Sequence, residues 1–442
     1  MAVSQLPTTQ LSRRTFAKTI TFAAGAMVIG SRRAEAKAQD NITLVQWYHQ
    51  YGEEGTEDAV RRYASQYTES NPGVEIEVNW VLGDYPAQLN AALLTDDAPD
   101  VFESSPNLDW VRNGLIAPLD DVITPEIKAD YTARELATNT IDGQLYGLKI
   151  VVDTGVIYYR KSMLEDAGVA VPTTVDELIA AATTLTDGPV KGLFLGNDGG
   201  ISSMQQIMPW AAGSDFIINE QVAFDNAATV AAYEKFRELN EADVLLIGSP
   251  TDWFDPSAFI QGLTAMAWGG LWAMPQITAE LQDDFGVFAF PPLATAGGEA
   301  GPVASPTVDE PGSPAYATFI GGWSELVSAK SANLDAAKQY AKFLWVENAE
   351  IQTDFNLSYG FHVPPRLSVA AEAEQLQSGP PAEAVAALNQ YGRAIGPLWT
   401  GSMGTALGDA ITRIVREGAD ATQEVQAAAQ QAREELQRLL GQ

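Results

Sequence analysis

The sequence predicts an α/β fold in which helices cover a doubly wound, mainly parallel sheet. Apolar or alternating stretches at 42–47, 74–80 and 97–102 are separated by amphipathic stretches at 56–70 and 84–95. Because parallel strands need long crossover connections that are usually helical, this order of strands and helices is typical of such a sheet. The chain has 442 residues, 46% of them hydrophobic, so it can bury a large core and form two to three domains.

The rest of the chain continues to alternate extended and helical stretches. Thr174 and Glu177 form a capping-box pattern at the start of one helix. Residues 294–314 are rich in glycine, proline and alanine, which indicates either an interdomain linker or a long surface loop. The other predicted elements are extended segments at 143–149, 155–159, 194–196 and 315–328, and helices at 161–167, 227–240, 334–345 and 405–440, the last broken at Gly418.

One stretch, residues 259–272, combines a strand pattern with a pair of tryptophans. Small and large apolar residues alternate until Gly269 and Gly270, which Trp268 and Trp272 flank. A buried strand that ends in a glycine turn has this pattern. The two indoles are compatible either with packing in the core or with a ligand site at the end of the strand, where open α/β sheets bind their ligands.

The N-terminus has the pattern of a twin-arginine export signal. Residues 12–18 (SRRTFAK) precede an apolar run at 19–30 that is shorter than the roughly 20 residues needed to span a bilayer. Small residues predict cleavage after Ala36 or Ala38. Residues 1–38 contain six basic residues and one acidic residue, so their removal takes the formal net charge from -31 to -36. We therefore expect export in the folded state to the periplasm or another extracytoplasmic compartment.

Composition excludes several classes of function. With 57 acidic and 26 basic residues, the chain should repel nucleic acid and anionic membranes. Because it contains no cysteine, it can form no disulfide, thiolate metal site or lipid anchor on an N-terminal cysteine. The only histidines are His49 and His362, so we expect no histidine-rich metal site and place each histidine on the surface or in a loop. No phosphate-binding loop or nucleophile-elbow motif is present, and we expect no cofactor.

Tryptophan is the residue type that points to a ligand. Several of the ten tryptophans fall where predicted strands end or loops begin, among them Trp47, Trp210, Trp268, Trp272 and Trp323. Sugars lie with their apolar faces on aromatic rings while polar side chains collect the hydroxyl groups, so an aromatic cleft with a few polar residues would suit them. Aromatic rings combined with carboxylates would also suit organic cations.

Several short motifs occur in an order that resembles a known family. They are residues 98–102 (APDVF), 143–148 (GQLYGL), 155–161 (GVIYYRK), 171–178 (VPTTVDEL), 259–272, 321–323 (GGW), 336–344 and 360–366 (GFHVPPR). In this order they resemble the family 1 extracellular solute-binding proteins of ABC importers, the maltose-binding-protein-like group. Val175 stands where that family usually has tryptophan. The resemblance covers nearly the whole chain after the signal.

The resemblance implies a two-lobed periplasmic binding protein fold of the type II kind, which closes on its ligand like a hinge. One lobe would comprise residues 40–150 and 319–370, and the other residues 151–318 and 371–442. By position it implies Asp153 as a hydroxyl-binding acid, Trp272 and Trp399 as stacking aromatics, and Trp323 at a crossing between lobes. Further candidates in the family's site loops are Tyr51, Asp84, Glu103, Asn107, Trp210, Trp268 and Arg366.

Three functions follow from this combination. The first is a monomeric binding protein, not an enzyme, that captures a mono- or oligosaccharide and delivers it to the permease subunits of an ABC transporter. The second is a secreted carbohydrate hydrolase, which would need a pair of acids across the cleft about 5–10 Å apart. The third keeps the fold but binds a polyamine or a betaine, which several carboxylates without arginine would favour.

Overall fold

A computed structural model describes residues 41–293 and 315–441 of the chain. The predicted export signal at 1–38 and the predicted loop or linker at 294–314 lie outside the described residues. No helix in the described ranges is both long enough and apolar enough to cross a membrane.

The strands and helices alternate much as the sequence predicts. In the described residues the strands are β1 (Ile42–His49), β2 (Val74–Val81), β3 (Val101–Ser104), β4 (Thr140–Ile141), β5 (Gln144–Leu145), β6 (Leu148–Lys149), β7 (Gly155–Arg160), β8 (Lys191–Phe194), β9 (Ile217–Ile218), β10 (Gln221–Val222), β11 (Thr264–Gly270), β12 (Phe285–Phe288), β13 (Thr318–Phe319), β14 (Ser324–Val327) and β15 (Gly392–Arg393). The α-helices are α1 (Thr56–Ser70), α2 (Tyr85–Leu93), α3 (Leu108–Arg112), α4 (Pro125–Lys128), α5 (Ala133–Thr138), α6 (Lys161–Ala167), α7 (Val175–Leu185), α8 (Ile207–Ala211), α9 (Ala227–Glu241), α10 (Ser257–Ile260), α11 (Met274–Leu281), α12 (Leu334–Lys342), α13 (Ala349–Leu357), α14 (Leu367–Glu372), α15 (Gly379–Tyr391), α16 (Gly401–Glu417) and α17 (Ala421–Leu440).

The first sheet has the strand order β2-β1-β3-β14-β6. β1 is parallel to β2 and β3, with Ile42 opposite Val74, as the β-α-β-α-β pattern predicts. β14 is antiparallel to β3 and β6 and joins this sheet after the chain has returned from the second one. The first sheet is therefore mixed, with its parallel part formed by the N-terminal strands.

The second sheet has the order β12-β7-β11-β8, and only β11 and β8 pair in parallel. In β11 all seven residues are buried, so this strand is an interior strand as the 259–272 stretch predicts. β7 lies antiparallel to both β11 and β12. This sheet therefore differs from a mainly parallel one, because its central strand β7 enters directly from the first sheet.

Local signals set the helix ends. Thr174 accepts a hydrogen bond from the Glu177 N–H at 3.2 Å, as predicted, but the Glu177 carboxylate reaches Thr173 rather than Thr174. The predicted helix at 334–345 is α12 followed by a π-helical turn, Phe343–Glu347. The predicted break at Gly418 is confirmed, since this glycine ends α16 with a left-handed φ of 69°.

Glu325, on strand β14 of the first sheet, is fully buried. Its Oε2 accepts hydrogen bonds from Trp345 Nε1 at 2.7 Å and Gln46 Nε2 at 3.1 Å. Its register partner is Glu103, whose charge adds to the effect of burial. Burial above all, then the nearby Glu103, raises the pKa of Glu325 to about 8. Glu325 is therefore protonated in the folded protein at neutral pH.

The variant Glu325→Gln should be more stable than the natural protein at pH 8 by a few kcal/mol, on the order of 3. The folded protein retains a proton that the unfolded chain releases, so the stability of the natural protein falls as the pH rises from about 4.5 to about 8. Denaturant unfolding between pH 5 and 9 measures this slope. Glu69→Gln, an exposed change on α1, should leave the slope unchanged. Equal slopes for the natural protein and Glu325→Gln would contradict the prediction.

Candidate ligand-binding cleft

Three chain segments connect the two sheets and form the floor of a large cavity. Residues 150–154 lead from β6 to β7, and residues 320–323 lead from β13 to β14. The third segment contains Val363, which pairs with Val152, while Asp153 pairs with Gly321. Gly322 has a φ of 87°, and a Cβ there would lie 2.1 Å from the Val151 carbonyl oxygen. Only glycine therefore allows these segments to pack so closely.

The cavity has a volume of about 1070 Å³, two walls and a floor. One wall is the end of β1 with the loop after it, residues 49–54, together with Tyr359. The second wall belongs to the other sheet and contains residues 253–256, 272–273 and 275–276. The connecting segments contribute Asp153, Trp323 and His362 to the floor. The volume is of the size that small-molecule sites in proteins reach.

On the floor, His362 joins two carboxylates. Its Nδ1 lies 2.7 Å from Asp153 Oδ1, and its Nε2 lies 3.1 Å from Glu53 Oε1. Burial opposes the charged form, but the two carboxylates outweigh it and raise the pKa of His362 to about 10. The imidazole is therefore positively charged at neutral pH and donates from both nitrogens. This fixes the orientation of Asp153 at the point where the chain crosses between the sheets.

Beside this group, a buried carboxylate supports a stack of rings. Glu103 at the end of β3 accepts a hydrogen bond from Tyr51 Oη at 2.7 Å and also contacts the His49 ring nitrogen Nδ1. The His49 ring stacks on Trp323 with centroids 4.3 Å apart and planes 30° apart. Glu103 is fully buried, so it holds His49 and Tyr51 in place rather than facing the cavity.

The opposite wall is aromatic because of the glycine pair in β11. A Cβ on Gly270 would lie 2.1 Å from the Trp272 ring, so the indole can fold back only over a glycine. Trp272 Nε1 donates to the Phe254 carbonyl at 2.9 Å. Trp253 packs against Trp272 with ring centroids 5.5 Å apart. The indole N–H of Trp272 is thus already satisfied, which leaves its ring face for contact with a ligand.

The chain matches one protein family over most of its length. The family of bacterial extracellular solute-binding proteins matches residues 62–384, more than half of the chain. The chain belongs to this family. The resemblance predicted from the motifs is therefore confirmed at the level of the family.

Individual relatives of this solute-binding protein are distant. A putative binding protein of Brucella abortus is 34% identical over 79 residues, which are 18% of this chain and 19% of that protein. The diacetylchitobiose binding protein DasA of Streptomyces coelicolor is 26% identical over 279 residues, 58% of each chain. The alignment thus spans less than two thirds of either relative.

Solved structures agree on the fold. The crystal structure of an ABC transporter solute-binding protein from Thermotoga lettingae, bound with α-D-tagatose, superposes with a TM-score of 0.72 at 19% identity. The match covers 89% of this chain and 100% of that one. The predicted two-lobed α/β fold is confirmed by this likeness.

Four of the predicted site residues line the cavity of the solute-binding protein. They are Tyr51, Asp153, Trp272 and Trp323. Each of the four carries an aromatic ring or a carboxylate, and each lies near the end of a strand or where the chain crosses between the two sheets. Their role as ligand contacts stays a prediction, although the geometry brings them together as expected.

Three predicted tryptophans lie elsewhere. Trp268 is 1% exposed, and a Cβ on Gly155 would lie 2.2 Å from its ring, so it belongs to the core behind the cavity. Trp210 in α8 is 2% exposed and packs edge-on against Phe216. Trp399 packs against the same Phe216 with centroids 5.1 Å apart and is absent from the cavity lining. These three rings therefore lie outside the cavity lining.

The other predicted polar residues have structural partners instead. Asp84 and Asn107 begin helices, accepting from Ala87 N and Trp110 N at 3.1 and 3.0 Å respectively. Arg366 donates to Asp130 at 2.8 Å, away from the cavity lining. Each of the three side chains is bonded to a residue outside the cavity lining, and none of the three lines the cavity.

Several residues of the cavity lining are not among the site residues predicted from the sequence. His362 lies in a loop, as one of the two expectations for it had it, but the loop is not at the surface there: the side chain is 4% exposed and lies between two acids. The GFHVPPR motif at 360–366 contained a usable signal, since it carries this histidine. His49, Glu53 and Trp253 also line the cavity. For them the signal is weak, because His49 ends β1, Glu53 lies in the next loop and Trp253 in the loop before α10, none within a marked pattern.

Proposed function

We propose that the protein captures a saccharide in this cleft and delivers it to the permease of an ABC transporter. The observation that carries the proposal is the pairing of two aromatic walls with a carboxylate floor. Trp272 and Trp253 stand on one wall and Tyr51 with Tyr359 on the other, while Trp323 lies on the floor with Asp153. Sugar rings present apolar C–H faces to such rings and hydroxyl groups to such acids.

The polar groups of the floor are prepared for hydroxyl groups. His362 holds Asp153 Oδ1, whereas Asp153 Oδ2 has no hydrogen-bond partner among the described residues. Asp153 is only 4% exposed, so its position is fixed before a ligand arrives. A fixed acceptor of this kind supports hydrogen bonding to one ligand hydroxyl with little loss of side-chain entropy.

The proposal also includes the export route of the protein and the boundaries of its two lobes. We expect the mature protein to start after Ala36 or Ala38, to reach the periplasm through the twin-arginine machinery, and to act as a monomer without a lipid anchor. The lobes would be residues 40–150 with 319–370, and residues 151–318 with 371–442. The three connecting segments between the sheets support hinge closure at these boundaries.

Hydrolysis is a weaker proposal for this cleft. A glycosidase needs one acid whose pKa is raised so that it can protonate the leaving group. Burial would raise the pKa of Glu53, but the hydrogen bond and charge of His362 lower it below its usual value. Asp153 shares the same imidazolium. The paired acids are thus held for binding rather than for proton donation.

Thermal-shift and calorimetric titrations with a panel of mono- and oligosaccharides test the proposed function. We expect at least one saccharide to raise the melting temperature in a concentration-dependent way, because binding to the folded state stabilises it by mass action. Chromatography of the same mixtures after long incubation should recover the saccharide intact. A panel without any shift, or a saccharide that is cleaved, would contradict the proposal.

A further inference from the structure

The described residues that line the cleft carry more carboxylates than basic groups. The described residues that line it include four carboxylates, Glu53, Glu54, Asp153 and Asp255, but no lysine or arginine. His362 provides one positive charge on the floor and offsets one of the two acids that it holds. Carboxylates are therefore in excess in a site that is partly shielded from solvent.

The nearest basic groups have other partners. Lys149 Nζ donates to the Gly322 carbonyl at 3.1 Å from beneath the floor, and burial lowers the pKa of Lys149 to about 8. Arg62 outside the lining pairs with Asp354 and donates to Tyr359 Oη at 2.9 Å. Neither side chain lines the cavity. A ligand would thus meet the carboxylates first.

Several carboxylate oxygens are free to meet a ligand. Asp255 Oδ1 accepts from the Ser257 N–H at 2.8 Å, whereas its Oδ2 has no partner in the described chain. Asp153 Oδ2, on the floor, also has no hydrogen-bond partner in the described chain. Asp153 itself is 4% exposed. Asp255 lies on a wall and Asp153 on the floor, so acceptors face the cavity from more than one side.

The rings between these acids add to the attraction for positive charge. The face of Trp272 is open because its N–H is bonded to the Phe254 carbonyl. Trp253 stands next to it, and Asp255 follows two residues later in the chain. An ammonium group over an indole face is attracted by the negative potential of the ring face, and more strongly when water is excluded.

We propose that the preferred ligand is a saccharide carrying a protonated amino group. This inference rests on the proposed function and narrows it, because a neutral sugar would use the rings and the hydroxyl acceptors but not the excess negative charge. The ammonium group would lie at the Trp272 and Asp255 wall, and the remaining hydroxyl groups would reach Asp153. A simple quaternary ammonium or a polyamine shares the charge but lacks the hydroxyl groups.

Matched ligands test the charge directly. Isothermal titration at pH 7 would compare the dimer of glucosamine with the dimer of N-acetylglucosamine and with cellobiose, which differ at the amino position. We expect the amine dimer to bind at least about tenfold more tightly than either neutral dimer. The advantage should shrink in 0.5 M salt, because screening weakens exposed charge pairs. Choline and spermidine serve as cations without a sugar.

A variant pair locates the effect. Asp255→Asn keeps an acceptor for the Ser257 N–H but removes the charge, and it should reduce the preference for the amine dimer by at least about threefold. Asp97→Asn makes the same charge change at an exposed site outside the lining and should leave the preference unchanged.

The possible outcomes distinguish failure of this inference from failure of the proposed function. Neutral dimers that bind as well as the amine dimer would overturn the inference and leave saccharide capture standing. Binding of choline or spermidine alone, or of no saccharide in the panel, would overturn both. An amine preference that survives unchanged in Asp255→Asn would overturn the assignment of the charge to this wall.

Discussion

Replacing Trp272 with alanine is expected to weaken saccharide binding by about 30-fold or more while the fold survives. Loss of a central aromatic contact typically costs about 2 kcal/mol or more in binding free energy, which corresponds to this factor. Trp272 is half-buried and lies over Gly270 at the cavity wall, so its removal opens space on the ligand side rather than inside the core. Titration calorimetry with the tightest saccharide of the panel measures the change.

Trp110→Ala provides the matched control for this prediction. Trp110 is also half-buried, packs edge-on against Phe102 with centroids 6.0 Å apart, and lies outside the cavity lining. Its removal deletes an indole of the same size but should leave the affinity within about twofold. An affinity of Trp272→Ala equal to that of the natural protein would remove this ring from the site.

Replacing His362 with glutamine is expected to destabilise the folded protein by about 3–5 kcal/mol at pH 6. The imidazolium holds two buried carboxylates, and loss of one partner leaves charges buried without compensation. Glutamine can donate to one of the two acids at most, so the connection between the loop after β1 and the crossing segment is lost. Denaturant unfolding without ligand measures the loss.

The same variant has a characteristic dependence on pH. The pKa of His362 is raised from 6.5 to about 10 in the folded state, so the folded protein holds a proton that the unfolded chain releases. The stabilisation is complete below about pH 6.5 and is lost as the pH rises towards 10. The difference in stability between the natural protein and His362→Gln should therefore shrink over this range.

The double variant Glu53→Gln, Asp153→Asn with His362 retained controls for simple loss of packing. Without the carboxylates, the histidine no longer gains from protonation, and the pH dependence should disappear although the ring remains. A difference between the natural protein and His362→Gln that stays constant from pH 6 to pH 10 would contradict the charged pairing.

The two tryptophans beside the glycine pair show how far the sequence could predict the site. Residues 259–272 predict a buried strand that ends in a glycine turn, and β11 has that form. The motif order, through family resemblance, selects Trp272, which lines the cavity. Nothing in the local pattern separates it from Trp268, because their exposure depends on where Gly155 and Phe319 pack across the sheet.

The acidic floor of the cleft could be predicted from the sequence only in part. The family resemblance implies Asp153 by its position between two motifs, whereas Glu103, also a candidate ligand contact, supports His49 and Tyr51. The roles of His362 and Glu53 depend on contacts between distant parts of the chain. Periodicity and spacing report on neighbours in sequence, so they could not show that these side chains meet.

The contact between His362 and Glu53 joins residues 309 positions apart. Closing so long a chain segment is unfavourable until many other contacts have formed, so the floor of the cleft is expected to assemble late in folding. The loop after β1 is synthesised early but receives its partner only when nearly the whole chain is present. Ligand binding therefore reports on completed folding of both halves, and a chain that ends before residue 362 should have no affinity for the ligand.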